Sequence, residues 1–293
     1  MATILITGGT GMVGKHLTEL LVLHGHNVIV LSRNKPVNVR SHAKVQYALW
    51  NIEQKTIDKN AIANADFIVH LAGAGVADKR WSVARKQEIV TSRINSSATI
   101  CKALATLPNK VQAVISASAI GWYGADTIES KQHGFEENAP ADTAFLGDTC
   151  RLWEESIAPV AGLGKRLAIL RIGIVLSNSG GALAEFKKPV KMGVAAILGN
   201  GKQTISWIHV NDLCNMFLFA IEHQSVQGVF NAVAPKPVTN KLLTETLATI
   251  MKGKFYIPIY VPSFMLKIIL GEMSIEVLKS ATVSSKKIVL AGF

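Results

Sequence analysis

Residues 7–14 read Thr-Gly-Gly-Thr-Gly-Met-Val-Gly, with Gly8, Gly11 and Gly14 three apart. Upstream, Thr3–Thr7 is a short apolar run; downstream, Val13, Leu17, Leu20 and Leu21 recur at helical spacing. A glycine triplet between a buried strand and a helix has a specific physical reading. One glycine permits the tight turn, one lets backbone amides approach a pyrophosphate, and one lets the helix pack on the strand. The helix start then offers free N–H groups and the positive end of its dipole to phosphates. The stretch predicts a dinucleotide site at Gly8, Thr10, Gly11, Met12 and Val13.

The same alternation runs outward from this loop. Apolar runs at Asn27–Leu31, Val45–Leu49, Phe67–Leu71, Ala113–Ser116 and Leu167–Ile172 read as buried strands, and Val83–Leu104 as the clearest helix between them. Strands apolar along their whole length imply a parallel sheet covered on both faces. The pattern loosens after Ile174, with a loop at 177–181 and a glycine-rich stretch at 192–201. It tightens again over 206–232, with a helix from Asp212, and ends in helices near Leu242–Ile250 and Phe264–Lys279. The expected fold is a doubly wound parallel α/β sheet of the Rossmann kind with a smaller, discontinuous C-terminal lobe. Residues 1–176, joined by 206–232, would hold the dinucleotide; 177–205 and 233–293 would form mainly the substrate lobe.

The end of the second strand selects the dinucleotide. A carboxylate there accepts from the ribose 2′-OH of NAD, whereas an arginine accommodates the 2′-phosphate of NADP. The chain has Ser32-Arg33-Asn34-Lys35 and no acid. Arg33 is therefore assigned to the 2′-phosphate, with the Ser32 hydroxyl beside it; the alternative is a solvated basic turn. NADP is the expected cofactor.

Composition narrows the function classes. The chain has 293 residues, 49% hydrophobic and 17% charged, which excludes a disordered protein. Cys101, Cys150 and Cys214 show no paired spacing, which excludes a disulfide scaffold and a zinc knuckle and fits a reducing, cytoplasmic setting. His24 and His26 lack a partner ligand, so no metal is expected. The net charge of +11 is spread without a long basic run, and nucleic acid is an unfavoured partner. The longest charge-free stretch, 111–125, is shorter than a membrane span, and no secretory signal is expected.

Further segments carry a family resemblance. With TGGTGMVG come HLAG at 70–73, SASAIGWYG at 116–124, LRIGIVLS at 170–177, WIHVND at 207–212 and GEM with KKIVLAGF in the tail. Together they resemble the atypical or extended short-chain dehydrogenase/reductases, within the NAD(P)-dependent epimerase/dehydratase superfamily. The likeness is to its "epimerase family" subgroup, some members of which carry a cell-division-inhibitor label; relatives usually continue past Phe293. The resemblance implies that Leu71, Ala72 and Gly73 pass beneath the adenosine ribose and pyrophosphate. It implies that Glu88 and Arg93 turn towards the cofactor, that Leu176 lies beside the nicotinamide half, and that Ser118 is the catalytic serine. Arg93 equally reads as a solvated helix residue; His209 reads as a pocket residue, or its segment simply as a helix start capped by Asn211 or Asp212.

Most of that superfamily uses a Tyr followed four residues later by a Lys, whose ammonium lowers the phenol's pKa. The residues four beyond Tyr47, Tyr123, Tyr256 and Tyr260 are Asn51, Thr127, Tyr260 and Phe264. Aligned on Trp153-Glu154, the two positions hold Leu146 and Cys150. Tyr123 is the phenol nearest Ser118 in sequence and reads either as a catalytic pocket residue or as core packing; Cys150 reads as a small buried hydrophobe. The expectation is an NADP-dependent reductase or epimerase of a small carbonyl or hydroxyl substrate. The alternative is an NADP(H)-binding regulator or scaffold without chemistry.

Overall fold

Thr3–Thr7 forms strand β1, and four of its five residues are buried. It feeds α1 (Met12–Leu23), then β2 (Asn27–Ser32), β3 (Val45–Asn51), a short β4 (Thr56–Ile57), α2 (Lys59–Asn64) and β5 (Phe67–His70). The computed structural model describes residues 1–34 and 42–293. Helix α3 (Val83–Thr106) leads to β6 (Ala113–Ala119), α4 (Ile128–His133), α5 (Phe145–Ile157), α6 (Pro159–Gly162) and β7 (Arg166–Ile172). Each predicted strand is present, with ends shifted by at most three residues.

Alternating side chains explain why these strands are apolar throughout. Ile4 and Ile6 point into one core with Leu17, Leu21 and Phe217, while Leu5 points into the opposite core with Ile68, Ile100 and Leu104. A strand covered on both faces takes a polar side chain only where a buried partner satisfies it, as happens here near the carboxyl ends.

Beyond β7 the chain forms β8 (Ile174–Ser177), β9 (Gly180–Gly181), α7 (Ala182–Lys191), β10 (Val194–Leu198), β11 (Thr204–Ile205) and β12 (Trp207–His209). The expected loop at 177–181 is thus the turn of a β8–β9 hairpin, with β12 parallel on its other side. Helix α8 (Val210–Glu222) packs against α1, and β13 (Gly228–Ala232) joins β7 in the main sheet. The remainder is β14 (Val238–Thr239), α9 (Asn240–Lys252), β15 (Ile257–Val261), α10 (Ser263–Leu270), α11 (Ser274–Leu278) and α12 (Lys286–Leu290). The single helix expected over 264–279 is broken by a 3-10 turn at Gly271–Met273, with Gly271 at φ +62°.

The main sheet runs β13-β7-β6-β5-β1-β2-β3-β4, all parallel except β4. From β1 the chain moves outward to β2 and β3, then returns to β5 on the other side of β1. Strand order reverses at that point. The crevice beyond the carboxyl ends of β1 and β5 is where open α/β sheets take ligands. Among the described residues no helix is long and apolar enough to cross a membrane.

Candidate functional site

The glycine loop fills the crevice floor. Gly8 sits at φ +70°, and a Cβ there would lie 2.9 Å from the backbone carbonyl of Leu71. A Cβ on Gly14 would lie 2.4 Å from the Gly8 oxygen, so the first turn of α1 rests directly on the loop. Gly11 is exposed, and its nearest obstruction is the Gly8 oxygen at 3.3 Å. No side chain caps the start of α1, and no acid occupies its first turn. Its N–H groups and dipole are left to an anion.

The neighbouring wall is held by buried polar groups that the sequence reading did not single out. Thr7 and His70 end β1 and β5 opposite one another, with Oγ1 and Nδ1 2.7 Å apart. The N–H groups of Leu71 and Ala72 donate to the Thr7 hydroxyl at 3.1 and 3.2 Å. The hydroxyl donating to Nδ1 leaves His70 Nε2 carrying its proton towards Ser97, 3.2 Å away. Burial, and to a smaller extent the positive Arg93 nearby, pushes the His70 pKa down to about 3, so the ring is neutral.

Three side chains of α3 grip the segment after β5. Arg93 Nη1 donates to the Ala74 carbonyl at 3.0 Å, and its guanidinium carbon lies 4.9 Å from the centre of the Trp153 ring. Ser92 accepts from the Ala74 N–H at 3.0 Å. Arg85 donates to the Gly75 carbonyl, to Glu88 at 2.7 Å and to Asp78 at 3.5 Å. Glu88 is on the exposed side of α3 and binds Arg85, whose side chain is 8% exposed. Arg93 is no solvated helix residue; it lies against Gly73.

Ser32 closes β2, and Arg33 is exposed immediately after it; Lys35 lies outside the described residues. Leu176, buried in β8, pairs with His209 of β12 and Gly181 of β9. This hairpin lies over α1: a Cβ on Gly181 would come within 3.2 Å of Met12, and His16 meets the Ser179 hydroxyl at 2.7 Å. His209 rather than Asn211 or Asp212 is the N-cap of α8, its Nδ1 accepting from the Asn211 N–H at 3.3 Å.

The end of β6 is built differently. Ser118, Arg171 and Asn231 are each the penultimate residue of their strand and stand in register across β6, β7 and β13. All three are buried. The Ser118 hydroxyl donates to Glu154 of α5 at 2.7 Å, and Arg171 grips the same carboxylate from Nε at 2.8 Å and Nη2 at 3.0 Å. Burial opposes the Arg171 charge, but the carboxylate outweighs it and the guanidinium pKa rises. Arg171 also donates to the Tyr123 hydroxyl at 3.1 Å and stacks 3.6 Å from the Trp122 ring centre. Tyr123 donates in turn to Asn231 at 2.7 Å. Tyr123 is fully buried, and burial raises its pKa. Among the described residues no group of three His, Cys, Asp or Glu gathers to hold a metal.

Residues 4–145 match the model of the NAD dependent epimerase/dehydratase family, and 261–293 match a domain of unknown function. The epimerase family protein YfhF of Bacillus subtilis is 33% identical over 290 residues, which cover 99% of this chain and 92% of that protein. The chain belongs to the NAD-dependent epimerase/dehydratase family. The human epimerase family protein SDR39U1 (isoform 2), solved with NADPH, superposes with a TM-score of 0.86 at 26% identity, over 99% of this chain and 94% of that one. A nucleoside-diphosphate sugar epimerase from Corynebacterium glutamicum gives 0.75 at 30% identity, over 99% of this chain and 54% of that one.

For a member of this family, α5 carries unusual side chains at the two positions where the resemblance anticipates Tyr and Lys. A Cβ on Gly121 would meet Leu146 Cβ at 3.3 Å and Cys150 Sγ at 3.6 Å, so both residues face the segment that follows β6. Cys150 is buried, and burial pushes its thiol up to about 11. Leu146 has no proton to give, and a thiol held that far above neutral is a poor donor.

Proposed function

We propose that the chain binds NADP(H) in the crevice between β1 and β5 and serves as an oxidoreductase or epimerase of a small carbonyl or hydroxyl substrate. One observation carries the reading: an uncapped helix start behind an open Gly11, with Gly8 backed onto Leu71 in a space that admits no Cβ. Those residues fit a pyrophosphate. Gly8, Thr10, Gly11, Met12 and Val13 would hold it, Leu71, Ala72 and Gly73 would lie under the adenosine half, and Leu176 beside the nicotinamide. Ser32 and Arg33 would take the 2′-phosphate by charge-assisted hydrogen bonds. Arg93 would shape the wall through Ala74, and Glu88 would act on it only through Arg85. Residues 1–176 with 206–232 would form the cofactor domain, and 177–205 with 233–293 mainly the substrate lobe. The NADPH complex of SDR39U1 and the nucleoside-diphosphate sugar epimerase support this cofactor and a nucleotide-sugar class of substrate.

The bound cofactor would supply hydride exchange. This chain's residues would bind, orient and exclude water. The Ser118 and Tyr123 hydroxyls are engaged by Glu154 and Asn231, which supports a positioning role for both and leaves substrate or solvent to exchange the proton. The same engagement, with Leu146 and Cys150 on α5, favours the second reading: an NADP(H)-binding regulator without turnover.

Fluorescence titration with NADPH and NADH, followed by NADPH oxidation against a panel of carbonyls and nucleotide sugars, separates these readings. Tight NADPH binding with turnover is expected. Binding without turnover on any substrate turns the reading to the regulator, and failure to bind either nucleotide ends both.

A further inference from the structure

The β8–β9 hairpin has little backbone support of its own. Strand β9 is only Gly180 and Gly181, both at positive φ, paired with Ser177 and Leu176. On the other side of β8, pairing with β12 ends at Leu176. Two glycines add conformational freedom to the hairpin rather than stiffness. Side chains supply what the backbone lacks.

Met12 and His16 lie one turn apart on the same face of α1. The hairpin runs along that face. A Cβ on Gly180 would lie 3.8 Å from Met12 Sδ, and one on Gly181 would lie 3.2 Å from Met12 Cε, so the thioether rests against β9. One turn further along α1, His16 Nε2 lies 2.7 Å from the Ser179 hydroxyl and 3.5 Å from that of Ser177. The two hydroxyls are 2.7 Å apart, and the Ser179 N–H donates to Ser177 at 3.2 Å. Ser177 is buried, so these contacts run from the half-buried imidazole into the base of the hairpin. Asn178 accepts from Lys187 of α7. The tip is thus tied to α1 on one side and to the helix that follows it on the other.

Where the tie lands indicates what it fixes. Met12 opens α1 at the glycine loop, and Leu176 lies at the end of β8, next to the tied segment. His16 and Ser179 are 163 positions apart, so the contact registers the start of the smaller lobe on the first helix of the sheet domain. A wall already held in place spares an arriving ligand the cost of ordering it.

We propose that His16 is a positioning residue: through Ser179 it holds the β8–β9 hairpin on α1 and so fixes Leu176 and Gly181 as the wall of the nicotinamide half. The assignment rests on NADP(H) binding at the glycine loop. The adenosine half, held by that loop and Arg33, does not depend on the tie.

Calorimetric titration of the full chain with NADPH, and separately with adenosine 2′,5′-bisphosphate, tests this, because the second ligand lacks the nicotinamide. His16→Ala and Ser179→Ala should each weaken NADPH about 5- to 10-fold, the worth of one hydrogen bond, and leave the bisphosphate unchanged. The double variant should bind NADPH no more weakly than either single one, since both substitutions remove the same contact. Ser179 is exposed and His16 half-buried, so circular dichroism should be unchanged; should one variant misfold, the other decides. Wild-type NADPH affinity in the variants overturns the proposal. So does an equal loss for NADPH and the bisphosphate, or losses that add in the double variant. A wild-type chain that binds neither ligand removes the cofactor reading itself, and the proposal with it.

Discussion

The carboxyl ends of β1 and β6 lie in the same sheet and make opposite use of their polar atoms. At β1 the polar groups are backbone N–H groups of an uncapped helix, exposed beside Gly11 and free of competing side chains. At β6 they are side chains, and Ser118, Glu154, Arg171, Tyr123 and Asn231 satisfy one another out of contact with water. The first end is open to a ligand, and the second is closed by its own hydrogen bonds. An inventory of polar residues would rank β6 as the richer site; the arrangement of those residues reverses that ranking.

Breaking the closed end should have the largest effect. Glu154→Ala strands the Arg171 guanidinium, whose side chain is 3% exposed, and should lower unfolding free energy by about 3–5 kcal/mol in a urea titration. A loss below about 1 kcal/mol would mean that water reaches the pair, and that β6 is an open site after all. At the open end, Gly8→Ala forces a left-handed residue to carry a Cβ against Leu71. It should cost about 2–3 kcal/mol by the same titration, and NADPH affinity should fall with it.

Arg33→Ala sharpens the contrast by changing ligand affinity without changing the fold. Loss of a charge-assisted contact should weaken NADPH about 10- to 100-fold by fluorescence titration and leave NADH unaffected. Equal weakening of both would remove Arg33 from the 2′-phosphate.

The last test concerns pH and the wall beside the glycine loop. Unfolded, His70 titrates near 6.5; folded, burial holds it to about 3. Between those values the unfolded chain binds the extra proton. Stability is complete above about pH 6.5 and declines as pH falls towards 3, by about 1.4 kcal/mol per pH unit at the steepest. Burial lowers the His26 pKa as well, so it adds in the same direction. Urea midpoints between pH 7 and pH 4 should show a shallower slope in His70→Gln than in the wild type; equal slopes would remove His70 as the source.

Most of the sheet was legible because buried parallel strands write themselves as continuous apolar runs. The glycine loop was legible because backbone geometry demands particular residues: Gly8 for its positive φ, Gly14 for its contact with the Gly8 oxygen. The α3 side of the crevice was read only in outline. Glu88 and Arg93 were read only as residues turned towards the cofactor, and the ion pair that Glu88 makes with Arg85, one turn away on the same face, was not singled out. His70 carried no signal as a wall residue, since its partner Thr7 is 63 positions distant and only strand pairing brings them together.

By itself the sequence determined the alternation of strand and helix, the position of the phosphate-binding turn, the absence of an acid after β2 and the absence of a Tyr–Lys pair. Each is a property of residues near one another along the chain. The tertiary structure alone decided that Ser118 meets a carboxylate 36 residues away, that Arg93 reaches the Ala74 carbonyl, and that the apolar stretch 255–270 faces outward. Those outcomes depend on which distant groups compete for one hydrogen bond or one buried surface. Local pattern has no term for that competition, and packing resolves it.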